Sequence, residues 1–283
     1  MSVMESQYTR ETLLTTPSEL QKKLGSPDLC LIDVRPAEQF AQGHIPGAVH
    51  FDLFGLSLVD TREAPLKAFM HMIHHVLELR GVSDAKEVVF YEANSGMRAA
   101  RGLWFLEYFG HPNARMLDGG FEAWKAAGGT ITTESVVPKA ATFKTTERPE
   151  VLATADDVLR SLNKGIAILD TRSDGEYLGT HIRAARGGVV PGAIHIEWTE
   201  NLDANGKFKS NTELKNMYDK VGITPDKEVI SYCQGGYRAA HSYIALRLLG
   251  FPKVRNYIGS WKEWGDRTDL PIENPGKKET GLR

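Results

Sequence analysis

The chain has 283 residues with 34 basic and 36 acidic side chains, a formal charge of −2 that points to neither nucleic acid nor a membrane surface. Its 41% hydrophobic and 25% charged content is that of a globular protein able to bury a sizeable core, without a disorder signature. Only two cysteines occur, Cys30 and Cys233, far apart and in unlike contexts, which excludes a disulfide framework and a CxxC metal pattern and suits a reducing compartment. The first residues, MSVMESQYTRETLL, lack signal-peptide and transit-peptide character, and no apolar run approaches membrane length, so a cytoplasmic protein is expected.

In chain order, Thr16-Pro17-Ser18-Glu19 is a helix start, with Thr16 as N-cap, Pro17 at the first helical position and Glu19 completing a capping box. The short helix it opens runs to about Leu24. Leu29 to Val34 (LCLIDV) is apolar enough for a buried strand, and Cys30 fits there as core. Arg35, Glu38, Phe40 and the stretch GHIPGAVHFD follow. Phe54 to Leu79 is hard to parse; its His71, His74 and His75 lack carboxylates or cysteines at ligand spacing, so a solvated or packed helix is expected there rather than a metal site. Val88–Tyr91 is a strand, a helical pattern runs to Phe109, and Arg115–Asp118, a glycine pair and Phe121–Ala127 read as strand, loop and helix.

Periodicity then disappears between Thr132 and Glu150, where Pro138 and Pro149 stand, and the pattern restarts. Thr154 to Asp157 repeats the helix-start logic, IAILD at 166–170 answers LCLID, and Thr171-Arg172 answers Val34-Arg35. Phe40 matches Tyr177, His44-Ile45 matches His181-Ile182, and PGAVH at 46–50 matches PGAIH at 191–195, with an insertion at 183–190 in the second copy. Met97-Arg98-Ala99-Ala100 matches Tyr237-Arg238-Ala239-Ala240, and Trp124 matches Trp264. One domain has been duplicated. We delimit a first domain over 8–130, a linker over 131–150 and a second domain over 151–276.

The chemistry concentrates in VISYCQGGYRAAHSYIALRLLG at 229–250. A short β-type run delivers Cys233 into a loop with adjacent Gly235 and Gly236, and a helical pattern begins near Ala239. Glycines let the loop curl until its N–H groups point inward, while the helix dipole and Arg238 favour thiolate over thiol. Cys233 is therefore the candidate nucleophile. In the alignment of the two copies Ala93 stands opposite it, so the first copy is expected to lack a reactive thiol. Arg98 and Arg238 are shared by both copies, so loop bracing and catalysis are equally open as the role of this arginine.

The two D-x-R strand ends, the HIPGA-type turn, the strand leading into a glycine-bearing loop and the final GG-F-x-x-W or GS-W-x-x-W helix together resemble the rhodanese family, over about residues 8 to 275. The resemblance implies two tandem α/β domains, each a mainly parallel sheet flanked by helices, the first inactive and the second active. It implies transfer of a sulfane sulfur from a small anionic donor through a Cys233 persulfide to cyanide or a thiol acceptor, thioredoxin-like thiols included. Gln234, Gly235, Gly236, Tyr237 and Arg238 would cradle the persulfide, and no metal or organic cofactor is implied. Four residues separate Cys233 from Arg238, whereas phosphatases resembling this fold have five, so sulfur is favoured over phosphate. Donor choice between thiosulfate and 3-mercaptopyruvate leans to thiosulfate on the terminal arginine, although Gln-Gly-Gly matches the loop of neither donor class. Glu176 stands where several relatives have a substrate-binding arginine, and the missing charge is sought in Arg183 or Arg186, with Arg186 placed in the cleft. Asp170 and Arg172 are expected to be structural. A persulfide carrier serving a protein acceptor is the second reading, and a monomer is expected.

Overall fold

The computed structural model describes residues 9–276, so the expected domain start at residue 8 and most of the N-terminal stretch read for a leader lie outside the described residues. In the first half, helix α1 (Arg10–Leu13) enters strand β1 (Leu14–Thr15), and helix α2 (Pro17–Lys23) leads to β2 (Leu29–Asp33), α3 (Ala37–Gln42) and β3 (Val49–His50). A long helix α4 (Glu63–Leu79) precedes β4 (Glu87–Tyr91), α5 (Met97–Tyr108), β5 (Ala114–Leu117) and α6 (Gly120–Ala126). The second half repeats the plan with β6 (Leu152–Ala153), α7 (Ala155–Ser161), β7 (Ala167–Asp170), α8 (Asp174–Tyr177) and β8 (Ile194–His195). It ends with α9 (Asn211–Lys220), β9 (Val229–Tyr232), α10 (Tyr237–Leu248), β10 (Val254–Tyr257) and α11 (Ser260–Asp266).

Each half builds a five-stranded sheet, in the orders β1-β5-β4-β2-β3 and β6-β10-β9-β7-β8, and every pairing within the sheets is parallel. Parallel sheets are covered on both faces, which is why the central strands β4 and β9 read as continuous apolar runs rather than as alternation. The chain is thus a tandem α/β protein, as the repeat implies.

Local chemistry explains the element starts. Thr16 Oγ1 accepts from the Glu19 amide at 3.3 Å while Glu19 accepts from the Thr16 amide at 2.8 Å, and Thr154 and Asp157 form the same box at 3.2 and 2.9 Å. At the strand ends, Arg35 donates to Asp33 at 2.6 Å and to the Gly43 carbonyl at 2.7 Å; Arg172 donates to Asp170 at 2.6 Å and to the Gly188 carbonyl at 2.8 Å. Each arginine is buried, so the two D-x-R sequences make one duplicated brace that ties the strand end to the turn.

The segment between the halves is strapped to the first one. Ala141 N–H donates to the Glu78 carbonyl, Thr146 N–H to that of Phe109, and Phe143 is buried edge-on against His74 with ring centroids 4.5 Å apart. A single hydrophobic cluster then runs through both halves, with Leu103, Trp104 and Leu106 of α5 in the same buried set as Tyr243, Ile244 and Leu246 of α10. Packing α5 on α10 puts the loops that precede these helices side by side.

Candidate active site

Both loops of interest leave the C-terminal end of a central strand, where open α/β sheets place their ligand crevices. Cys233 follows β9 directly. Its N–H donates to Ser260 Oγ at 3.1 Å and its carbonyl accepts from the Trp261 amide at 2.9 Å, so the residue is pinned through its backbone while Sγ faces the loop. The Gly236 amide donates to Sγ at 3.1 Å. Gly236 has a φ of +81°, and a Cβ there would stand 2.8 Å from both Arg101 Nη1 and the Ile258 carbonyl oxygen, so this turn admits only glycine. Burial by itself raises the Cys233 pKa, but the Arg238 charge and the amides of Ala239, Gly235 and Arg238 outweigh it and hold the thiol below its ordinary value. Cys30 shows the contrast: buried with no such donors, it is pushed up to about 11.

Arg238 is engaged on its far side by Glu176, with nitrogen–oxygen distances of 2.5 and 2.9 Å, and Arg183 approaches the same carboxylate at 3.6 Å. Burial raises the Glu176 pKa, but the bonds to Arg238 and Ser173 bring it down to about 2, so it is a carboxylate at neutral pH. Glu176 therefore orients the loop arginine and offsets its charge.

The cleft above Sγ has a volume of about 310 Å³ and is walled by both halves. Phe54, Ser57 and Met97 come from the first, and Arg183, Trp198 and the cysteine loop from the second. Tyr237 points across the domain boundary, donating its hydroxyl proton to the Leu53 carbonyl at 2.7 Å, with its ring 5.6 Å from that of Phe54. Gln234 donates its side-chain amide to the Arg183 carbonyl at 2.8 Å and closes the other rim.

The structure corrects the placement of Arg186. Its guanidinium is turned away from the cleft and spent on the carbonyl oxygens of Trp264, Gly265, Arg267 and Leu270, so it ties the insertion to the C-terminal segment. Arg183, the other basic candidate of that insertion, is the one that lines the cleft.

The residue opposite Cys233 is likewise Glu92, not Ala93. Tyr91 and Tyr232 hold equivalent strand ends, their hydroxyls accepting from the Ile45 and Val190 amides at 3.1 and 3.2 Å. Glu92 then follows Tyr91 as Cys233 follows Tyr232, and the Glu92 carbonyl accepts from Phe121 N–H as that of Cys233 does from Trp261 N–H. The first loop has one residue more, which shifted the sequence alignment. Glu92 fills its own nest, Oε1 accepting from the amides of Arg98 at 2.7 Å and Ala99 at 3.1 Å. The duplicated loop thus holds an internal carboxylate where the second copy holds sulfur.

Arg101 carried no signal in the sequence, and Ser260 stood only as the serine of the GS-W-x-x-W helix, with nothing to place it beside Cys233. Arg101 lies on α5 of the first half and reaches the cysteine loop only through domain packing; Ser260 is set beside Cys233 by a left-handed turn at a φ of 54°.

Comparison with known proteins identifies the family. The Rhodanese-like domain model matches residues 16–127 and again 154–267. This chain belongs to the rhodanese family. It is 33% identical to a thiosulfate sulfurtransferase of Azotobacter vinelandii over 262 residues, covering 92% of this chain and 97% of that protein. A thiosulfate sulfurtransferase of Pseudomonas aeruginosa is 34% identical over 92% of this chain and 97% of its own length. The sulfur carrier protein TtuD of Thermus thermophilus is also 34% identical, over 94% of this chain and 98% of its own. Among solved structures, wild-type EanB superposes with a TM-score of 0.82 at 22% identity over 94% of this chain and 70% of that one, a likeness of fold. These rhodanese relatives support a sulfurtransferase. Among the described residues no helix is long and apolar enough to cross a membrane.

Proposed function

We propose that this rhodanese is a thiosulfate sulfurtransferase working through a Cys233 persulfide. The observation that carries the reading is a cysteine of lowered pKa whose Sγ accepts the Gly236 N–H at 3.1 Å on the floor of a cleft sized for a small donor. The Cys233 thiolate attacks the outer sulfur of thiosulfate, the new sulfur–sulfur bond forms, the old one breaks, and sulfite leaves with its electron pair. The amides of the loop at 234–238 and Arg238 stabilise the anionic terminal sulfur. Cyanide or a thiolate then attacks that sulfur, leaving as thiocyanate or a persulfide and returning the Cys233 thiolate. Arg238 and Arg183 share the one Glu176 carboxylate, so a net positive charge remains for the donor's sulfonate end, with Arg183 at the rim.

The relatives named thiosulfate sulfurtransferase support this donor, and 3-mercaptopyruvate is the competing one. A second reading, persulfide delivery to a protein thiol, is favoured by the relative named as a sulfur carrier and by the apolar Phe54, Met97 and Trp198 around the sulfur. The test is the initial rate of thiocyanate formation from thiosulfate and, separately, from 3-mercaptopyruvate, with wild type and Cys233→Ala compared. Thiosulfate turnover lost in the variant supports the proposal; a mercaptopyruvate preference overturns the donor. Stable persulfide loading without turnover moves the assignment to the carrier.

A further inference from the structure

Arg101 belongs to the half that lacks the cysteine, yet its side chain ends at the cysteine loop. It is wholly buried, its Nη1 donates to the Gly235 carbonyl at 2.6 Å and its Nη2 to the Leu56 carbonyl at 3.0 Å, and its Cζ stands 4.0 Å over the Tyr237 ring. The Gly235 carbonyl and the Gly236 N–H are opposite edges of one planar peptide unit. Holding the oxygen on Arg101 therefore directs the N–H toward Cys233 Sγ, the 3.1 Å contact of the nest. Glycine flanks that peptide on both sides, so side-chain sterics do little to stop it flipping. A flip would present a carbonyl oxygen to the sulfur anion and remove its donor.

Charge gives an independent reason. A buried cation needs a counter-charge, and among the described residues no carboxylate pairs with Arg101. Burial works against its charge, and the groups that favour that charge are the Tyr237 hydroxyl and the Cys233 sulfur. The reverse arrangement in the other half sharpens the point. His241 of α10 occupies the matching place, its Nε2 lying 2.8 Å from the Ser95 carbonyl oxygen in the first half's loop. Burial pushes His241 down to about 3, so it is neutral. The two halves exchange equivalent contacts across their interface, but only the contact facing the cysteine carries a charge.

We propose that Arg101 is a positioning residue for Cys233: the cysteine-free half supplies the guanidinium that holds the Gly235–Gly236 peptide with its N–H on the sulfur. The inference rests on Cys233 being the sulfur-carrying nucleophile, but its main readout does not require turnover.

The experiment follows the rate of Cys233 alkylation by iodoacetamide against pH, read by peptide mass spectrometry, in the full-length wild type, Arg101→Met and Arg101→Lys. Thermal unfolding of each reports folding, and thiosulfate–cyanide kinetics run alongside. Arg101→Met is expected to raise the alkylation midpoint by about one pH unit. It should also lower kcat roughly tenfold, with KM within about a factor of two. Lysine keeps the charge but replaces the planar fork by a point donor, so its midpoint falls between the other two. A wild-type midpoint in folded Arg101→Met overturns the proposal. If only the lysine variant folds, a wild-type midpoint there overturns it equally. Failure of both to fold makes the arginine a brace of the domain interface and also overturns it. Absence of thiosulfate turnover in the wild type would remove the donor assignment while the alkylation midpoints still report on Arg101.

Discussion

Replacing Glu176 by glutamine leaves the shape of the site nearly unchanged and removes the negative charge that faces Arg238. The Glu176 side chain is 3% exposed and its pKa is brought from an ordinary 4.5 to about 2, mainly by Arg238 against the opposing effect of burial. A depression of about 2.5 units at about 1.36 kcal/mol each sets roughly 3.4 kcal/mol as the stability tied to its ionisation at neutral pH. The folded-state pKa is the lower one, so this contribution is present above the unfolded value, near 4.5, and is lost as pH falls through 2. The same relation leaves about 1.4 kcal/mol at pH 3. Urea unfolding of wild type and Glu176→Gln at pH 7 and pH 3 measures both. The gap between the two proteins should narrow on acidification by about 2 kcal/mol. A gap that is the same at both pH values would refute the reasoning, because an uncharged contact does not titrate. In the same variant Arg238 and Arg183 face the cleft without an offsetting carboxylate, and KM for thiosulfate should fall.

Other expectations follow from the same geometry. Gly236→Ala places a Cβ 2.8 Å from the Ile258 carbonyl oxygen at a φ of +81°, so thiocyanate formation should be lost and the melting temperature lowered. At pH 7 iodoacetamide should label Cys233 and spare Cys30, which is pushed up to about 11; equal labelling of the two in tryptic peptides would contradict the nest. Glu92 has its pKa raised by burial to about 7, so the stability it confers is full below its ordinary 4.5 and is lost as pH rises through 7. Glu92→Gln keeps an acceptor for the Arg98 and Ala99 amides and should flatten the fall in urea midpoint between those pH values.

The sequence was most informative where structure is locally specified. The capping boxes at Thr16 and Thr154, the apolar runs of β4 and β9, and the strand–loop–helix around Cys233 depend on residues a few positions apart, and their spacing can be read directly. The duplication strengthened each by giving it twice, and the paired D-x-R braces came out as structural in both halves. Alignment of the loops failed for a physical reason as well. Their strand ends and helix starts are fixed, the first loop carries an extra residue between them, and a gapless comparison therefore put Ala93 where Glu92 sits.

Long-range assignments were beyond that kind of reading. Arg183 and Arg186 stand three residues apart in the same insertion, and nothing local says which turns into the cleft. Four carbonyl oxygens from residues 264–270 capture Arg186, and only chain folding brings them there. Phe54, Ser57 and Met97 became walls of the cleft because the two halves share one core.

What the sequence determined by itself was the repeated α/β frame and the single cysteine poised at a strand end, since hydrophobic periodicity, caps and glycine-permitted turns act within a few residues. Only the tertiary structure decided what surrounds the sulfur. The Glu176 that offsets Arg238, the Ser260 that pins Cys233 and the Arg101 that reaches in from the other half come from separate stretches, and packing of the two sheets and of α5 on α10 is what brings their charges and donors within reach.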